Sequence, residues 1–349
     1  MAETEERDDG MIRTVGIVGF GAIGAAFASR FSRRARVSVI VDGDRLDRYR
    51  REPTTVNGGP CDVTYVSPTG ISTTGVPETH DDAGTSTPHQ AVPRAAAPLG
   101  LVLFSVKAAQ LDQAIELARP FIGQHTIVIS LMNGIHSEQR IRDSIGHGRV
   151  LLSTSMAIDA TRDGRHVTFS TIGYVSYGTM TDDPSPEESD AMTELSTFLA
   201  SCGIPHRTPP DMRRAMWWKF MVNCGANQVS AVLGAPYGVF ADPKGPAATL
   251  MADAQREVIA VAASLGIELP EDGIAQCQRD IATLDPTKYT SMAQDMLHHR
   301  PTEADIFGGE ITELGRERHV PTPVNTTLWR IIKAREGMWD GNRKDDNGK

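Results

Sequence analysis

Thr14-Val15-Gly16-Ile17-Val18, an apolar run of strand length, leads directly into Gly19-Phe20-Gly21-Ala22-Ile23-Gly24 and then into the small, apolar Ala25-Ala26-Phe27. A buried strand, a glycine turn and a helix start in that order constrain the chain more than any other stretch, because few folds place them so close together. Gly19, Gly21 and Gly24 have the G-x-G-x-x-G spacing. One glycine makes the turn, one lets backbone approach a pyrophosphate, and one lets the helix pack on the strand. The orphan N–H groups and the positive dipole end of the helix then face the phosphates. Glycine triplets arise by chance in a chain with 32 glycines, but seldom with a strand before them and a helix after. Gly19, Phe20, Gly21, Ala22, Ile23 and Gly24 are therefore the expected dinucleotide-binding residues.

A helix is expected over Ala25–Arg34, and Val37-Ser38-Val39-Ile40-Val41-Asp42 reads as the second strand of a parallel sheet. Asp42 ends that strand about 20 residues beyond the glycines, where an acidic side chain hydrogen-bonds the adenosine ribose 2′-OH and repels the 2′-phosphate of NADP. Asp42 thus favours NADH. Arg45, Arg48 and Arg51 just downstream offer a phosphate clamp, and a solvent-exposed turn aspartate in Asp42-Gly43-Asp44 is the bland alternative. From about Arg50 to Pro98 the chain is rich in Gly, Pro, Thr and Asp, with brief strand signals at Val63–Val66 and Gly70–Val76, and should be edge structure plus loop.

Leu101–Val106 restores a buried strand, with Lys107 at its carboxyl end, the end where ligands bind in doubly wound sheets. Gln110–Pro120 is helical, Thr126–Leu131 is the next strand, and Asn133-Gly134 closes the same crevice. A surface lysine and a plain Asn-Gly turn are the alternatives for these two sites. Val150–Asp159 and His166–Tyr177 look like further strands, the latter part antiparallel, before a charged helix at Pro186–Cys202 and a hinge over Ile204–Asp211.

Downstream the strands stop and helix follows helix. The expected architecture is an α/β Rossmann dinucleotide-binding domain over residues 12–207 and a second, all-α domain over 208–337 that carries substrate and catalysis. The tails, 1–11 and 338–349, are expected to be disordered. At 349 residues the chain is long enough for two such cores.

Lys+Arg 35 against Asp+Glu 44 leaves a formal charge of -9, which excludes a basic footprint for nucleic acid or an acidic membrane surface. Cys61, Cys202, Cys224 and Cys277 are scattered without zinc-ligand spacing, so reduced structural thiols are expected and no metal. With no apolar run of membrane-spanning length and an acidic Met1–Gly10, the expected compartment is the cytoplasm.

The helix over Asp211–Leu233 carries the expected chemistry. Trp218, Val222, Gly225, Val229 and Val232 form an apolar stripe, while Lys219, Asn223 and Asn227 align at i, i+4 and i+8 on another. Met216, Phe220, Met221 and Ala226 make most of the remaining surface apolar, so the helix should be buried, and a buried lysine with two buried amides needs polar partners. Lys219 snorkelling to solvent, with the asparagines bonded to backbone, is the alternative. Further on, Pro301 suits the first turn of a helix and would place Glu303 where the dipole favours a carboxylate. The helix that follows should end at Val320-Pro321-Thr322-Pro323, and Asn325–Arg335 should be the last.

These residues resemble the ketopantoate reductase (2-dehydropantoate 2-reductase) family, of the 6-phosphogluconate dehydrogenase-like group. The resemblance spans about Arg13 to Glu336. It rests on Gly19–Gly24, Val106-Lys107-Ala108-Ala109-Gln110, Met132-Asn133-Gly134, Trp218-Lys219 with Asn223 and Asn227, Ser291-Met292 with Gln294-Asp295, Thr302-Glu303 with Asp305, and Thr322-Pro323 with Asn325. It implies that Lys219 is the general acid and Glu303 the partner of the substrate hydroxyl. Asn133, Asn223, Asn227 and Ser291 would be polar groups of the substrate pocket, and Lys107 a cofactor-facing lysine. The resemblance also implies NADPH, although the family usually has an arginine where Asp42 stands. The segment before Leu101 is longer than usual, and Gly308-Gly309 replaces a common Asn-Gly pair.

The expected reaction is hydride transfer from a reduced nicotinamide to the ketone carbon of a 2-oxo acid, the charge on oxygen being met by Lys219. The partner is a small molecule, with a homodimer left open. A dehydrogenase of the same architecture acting on another 2-oxo or 2-hydroxy acid keeps every motif, whereas a non-catalytic nucleotide sensor needs no aligned Lys219, Asn223 and Glu303.

Overall fold

In a computed structural model, which describes residues 11–68, 97–181, 183–270 and 272–346, alternate residues of each central strand enter different cores. Leu101 and Leu103 join Val15, Ile17, Ile127 and Ile129 in one cluster, and Val102 and Phe104 join Val18 and Val128 in another. Strands buried on both faces belong to parallel sheets covered by helices on each side, which is why their sequences are apolar throughout.

In chain order the first unit runs β1 Thr14–Val18, α1 Ala22–Phe31, β2 Arg36–Ile40, α2 Gly43–Arg51, β3 Thr55–Val56, β4 Gly59–Pro60, β5 Thr64–Val66 and β6 Leu101–Phe104. It continues with α3 Leu111–Ala118, β7 Ile127–Ser130, α4 Ser137–Ile145, β8 Arg149–Val150, β9 Leu152–Met156, β10 Thr161–Asp163, β11 His166–Thr168 and β12 Tyr174–Gly178, then α5 Pro186–Ser201 and β13 His206–Arg207. The main sheet has the order β5-β2-β1-β6-β7-β8 with every pair parallel. The order reverses between β1 and β6, so the crevice at their carboxyl ends is the topological switch point where doubly wound sheets bind ligands. A three-stranded sheet, β13-β12-β9, and a four-stranded one, β10-β11-β3-β4, complete the unit.

The second unit is helical: α6 Met212–Leu233, α7 Pro246–Ser264, α8 Asp272–Ala282, α9 Ser291–Leu297, α10 Gly308–Arg318 and α11 Pro323–Asp346. Contacts divide the chain after Met212, and Asn133–Ile135 belongs with the helical unit rather than with its sequence neighbours. Ile135 packs against that unit's core of Trp217, Phe220, Cys224, Met292, Met296 and Phe307.

Several local expectations change. The first helix ends at Phe31, where Arg33 and Arg34 close three-residue turns onto Arg30 and Phe31. Asp42 does not end a strand; it is the N-cap of α2, a helix that the Asp-Gly-Asp turn signal hid. The segment read as a hinge contributes β13, which pairs with β12. The last helix begins at Pro323 and runs to Asp346, well beyond Arg335 and into the expected tail. Pro301 starts no helix. Glu303 caps a single 3-10 turn, Ala304–Ile306, and α10 begins only at Gly308. Residues 1–10, the strand signal at 70–76 and residues 347–349 lie outside the described residues. Among those described, no helix is long and apolar enough to cross a membrane.

Candidate active site

The glycine turn is shaped by three different demands. Gly19 has φ +98°, and a Cβ there would lie 2.6 Å from the Ser105 backbone of the next strand's exit. A Cβ on Gly24 would meet the Gly19 carbonyl oxygen at 2.0 Å, so helix and turn touch backbone to backbone. Gly21 differs: it has ordinary extended backbone, φ -81° and ψ -157°, and nothing lies within 4 Å of where its Cβ would be. The open space therefore sits at the N-terminus of α1, which has no side-chain cap and no acidic residue in its first turn. Those are the features of an anion cradle. Ser105 Oγ donates to the Gly19 carbonyl at 2.7 Å and holds the turn against β6.

A cavity of about 320 Å³ adjoins the turn, lined by Gly19, Phe20, Asp42, Arg45, Tyr49 and Gln110 among others. That volume lies in the range of small-molecule pockets, and Asp42 and Arg45 in its lining give it an acceptor and a donor fork, which fit the ribose end of a dinucleotide. Ala22 and Ile23 are half-buried at the helix start. Of the three arginines that offered an alternative phosphate clamp, Arg45 lines the cavity and Arg48 and Arg51 do not; Arg48 lies instead beside the Tyr49 ring, 5.7 Å from its centroid. Lys107 is exposed three residues beyond β6 and is absent from the lining, whereas Val106 and Gln110 beside it belong to it. Tyr49 and Gln113 were not singled out in the sequence, where only their place on α2 and α3 marks them; Gln110, the N-cap of α3, belongs to the Val106–Gln110 block.

In the helical unit, Asn133 Nδ2 donates to Glu303 Oε2 at 2.9 Å. Lys219, Asn223 and Asn227 share a face of α6, but their burial is graded rather than uniform: Lys219 and Asn223 are half-buried and only Asn227, 7 % exposed, is buried. The wholly buried helix expected from composition is therefore wrong on this face. The apolar side chains around it, Trp217, Phe220, Met221 and Cys224, turn to the core. Ser291 is exposed as the first residue of α9, and Thr290 before it caps that helix by accepting from Ala293 N–H at 3.2 Å.

Helix α11 fixes the short loop that carries Glu303. Thr302 donates through both its N–H and its hydroxyl to Glu336 Oε1, each at 2.7 Å. Asp305, on the other side of Glu303, accepts from Trp329 Nε1 at 2.9 Å and pairs with Lys333 at 3.0 Å, and Lys333 also pairs with Glu336 at 2.7 Å. Trp329, Lys333 and Glu336 are spaced i, i+4 and i+7, one face of a helix. Partial burial alone would raise the Glu336 carboxyl, but hydrogen bonds from Lys333 and Thr302 outweigh it and hold it below its ordinary 4.5.

Gly308 has no room for a side chain, since a Cβ would meet Gln228 Oε1 at 2.1 Å and Trp329 Cβ at 2.7 Å. An asparagine there would displace Gln228, which donates to Asn325 Oδ1 at 2.9 Å in the buried junction of α6 and α11. The cysteines are free thiols, three of them buried. Burial pushes Cys61 up to about 12 and Cys277 to about 11, which makes both poor nucleophiles.

A doubly wound sheet with an uncapped glycine turn at its switch point, followed by a helical unit with its own polar cluster, is the architecture of a two-unit dinucleotide-binding protein. The ketopantoate reductase PanE/ApbA family model matches residues 15–182, and its C-terminal counterpart matches residues 211–336. The chain belongs to the ketopantoate reductase family and is a nicotinamide-dependent 2-oxo acid reductase by that membership. The 2-dehydropantoate 2-reductase of Vibrio cholerae is 27% identical over 241 residues, covering 68% of this chain and 78% of its own. Among solved structures, a PanE/ApbA family ketopantoate reductase from Ralstonia eutropha superposes with a TM-score of 0.72 at 23% identity, over 93% of this chain and 99% of that one. A D-mandelate dehydrogenase, solved with NADH and anilino(oxo)acetate, gives 0.77 at 21% identity, over 94% and 100%.

Proposed function

We propose that this protein reduces a 2-oxo acid resembling ketopantoate to the 2-hydroxy acid, with Lys219 as general acid and Glu303 as the partner of the nascent hydroxyl. The observation that carries this reading is the 2.9 Å hydrogen bond from Asn133 to Glu303, which places two of the expected substrate groups together although they are 170 residues apart in sequence. A reduced nicotinamide, when bound, supplies the hydride. Gly19, Phe20, Gly21, Ala22, Ile23 and Gly24 hold its pyrophosphate, Asp42 its adenosine ribose, and Lys107 serves as a further cofactor contact.

On this reading the Lys219 ammonium stabilises negative charge on the carbonyl oxygen and then transfers a proton to that oxygen. Asn223 and Asn227, one and two turns further along α6, add fixed amide donors and acceptors, and Asn133 and Ser291 complete the set. Glu303 accepts from the new hydroxyl, and its own position is secured by the bonds of Thr302 and Asp305 to α11.

Asp42 supports NADH, because a carboxylate at the ribose disfavours a 2′-phosphate, while Arg45 in the same cavity lining is a compensating cation. The same residue favours the second reading, an NADH-using dehydrogenase for another 2-hydroxy acid. The deciding experiment is cofactor oxidation followed across a panel of 2-oxo acids with NADH and NADPH in parallel. Fastest turnover of a branched, hydroxylated 2-oxo acid supports the ketopantoate reading, an aryl or short-chain preference supports the second, and no oxidation with any acid rejects both.

A further inference from the structure

Arg162 lies on β10, in a hairpin that the sequence did not mark for any role. It pairs with Val167 across β10 and β11, so both side chains leave the same face of the hairpin. Val167 is 1% exposed in the core that includes α1, and Thr161 and Asp163 on either side of Arg162 are exposed. The hairpin thus directs a guanidinium inward. Arg162 Nη1 donates to the carbonyl of Phe20, inside the glycine turn, and Nε donates to the Gly164 carbonyl at 2.8 Å. The guanidinium carbon stands 5.8 Å from the centroid of the Tyr49 ring. Phe20 and Tyr49 both line the nucleotide cavity.

Neutral acceptors and a ring face hold this cation, and among the described residues no carboxylate pairs with it. Elsewhere in the same unit Arg149 does end on a carboxylate, that of Glu194, at 2.9 Å. A half-buried guanidinium fixed by carbonyls keeps its full charge and its second amino group for an anion. The anion this unit is built to receive is a phosphate of the dinucleotide at the N-terminus of α1. We propose that Arg162 is a cofactor-binding residue that contacts the pyrophosphate from outside the glycine turn, adding positive charge to a loop that has only backbone donors. The assignment rests on the nicotinamide-cofactor reading of this unit, and not on the identity of the 2-oxo acid.

The test compares wild type with Arg162→Gln, which keeps a donor but loses the charge, and Arg162→Lys, which keeps the charge but loses the fork. Affinities for NADH, NADPH, ADP and adenosine are measured by fluorescence or calorimetry at low and high salt, with a thermal melt of each protein without ligand. Losing a charge-assisted hydrogen bond should weaken NADH, NADPH and ADP alike by roughly tenfold or more in the glutamine variant, and adenosine hardly at all. The deficit should shrink at high salt, the lysine variant should recover part of it, and the melts should coincide. Unchanged affinity for ADP overturns the assignment. So does a loss that adenosine shares and that comes with a lowered melt, which would mark a merely structural arginine. Weakening confined to NADPH would also overturn it, by placing Arg162 on the ribose phosphate. Wild type that binds none of these ligands would instead refute the cofactor reading itself.

Discussion

Asn133 donates a 2.9 Å hydrogen bond to Glu303, 170 residues further along the chain and in the same helical unit. A hydrogen bond from an amide to a carboxylate fixes the direction in which that carboxylate is presented. Replacing Asn133 with alanine should therefore raise KM for the 2-oxo acid roughly tenfold, the scale of one hydrogen bond to a charged group. Glu303→Gln keeps the shape and removes the charge, so slower turnover should accompany its weaker binding. Initial rates against substrate concentration measure both. Normal kinetics in Asn133→Ala would remove the pair from the substrate site.

Gly21 and Gly24 should respond in opposite ways to substitution. Gly21 has an ordinary extended conformation and open space around it, so Gly21→Asp should fold and melt normally yet lose cofactor binding, because a carboxylate would occupy the approach to the helix N-terminus. Gly24→Val forces side-chain atoms onto the Gly19 carbonyl and should lower the melting temperature by roughly 5 °C or more. Fluorescence titration with reduced cofactor, alongside the melts, separates the two effects.

The glycine turn and the parallel strands were legible because their determinants are local: spacing, apolar period and the order strand-turn-helix. Asp42 shows the limit, since Asp-Gly-Asp signals a turn whether or not a helix follows, and α2 follows. Glu303 shows another. A proline before a carboxylate is a helix-start signal, but Thr302 and Asp305 are bound to α11, and those long-range bonds favour a single 3-10 turn instead. Arg162 was invisible for a similar reason, as its partner is a backbone carbonyl 142 residues away. The graded burial along α6 depends on which neighbours cover each face, and a helical wheel does not contain that information.

Asp42→Arg should move cofactor preference toward NADPH by removing repulsion of the 2′-phosphate and adding a donor fork. The ratio of kcat/KM with NADPH to that with NADH is the measurement. If the unmodified protein already uses NADPH far better, Asp42 does not set the choice, and Arg45, the one arginine of the three on the cavity wall, becomes the residue to change.

The α11 anchor carries a pH signature. Glu336 is held below its ordinary 4.5, so its contribution is complete above that value and is lost as pH falls through the lower folded value. Burial alone would lower Lys333, but Glu336 and Asp305 more than compensate and hold it above its ordinary 10.5; its contribution is complete below that value and lost at higher pH. Glu336→Gln should therefore cost the same stability throughout the range between, and the gap from wild type should close in acid. It should also raise KM more than it lowers kcat, since Thr302 would lose a charged acceptor and Glu303 its fixed place. Thermal melts across pH, with kinetics at neutral pH, check both. A gap that persists unchanged to the acid end of the folded range would refute the titration of this carboxyl.

Lys219 bears the most weight in the proposed chemistry. If it is the general acid, Lys219→Ala should lower turnover by roughly 10² or more, the scale for losing a positioned proton donor. Cofactor affinity should hardly change, because the glycine turn, Asp42 and the cavity around them belong to the α/β unit and Lys219 to the helical one. Lys219 is half-buried on α6, and its neighbours Phe220 and Met221, not Lys219, belong to the buried core. The variant should therefore melt near wild type and gain stability from NADH or NADPH to the same extent, since a ligand that binds only the folded state stabilises it by an amount that grows with the logarithm of ligand concentration over Kd. Lys219→Arg tests the proton rather than the charge. An arginine stabilises the developing alkoxide but does not give up a proton at neutral pH, so it should remain nearly as slow as alanine. Normal turnover in either variant would reject Lys219 as the acid and return the role to another donor near Glu303.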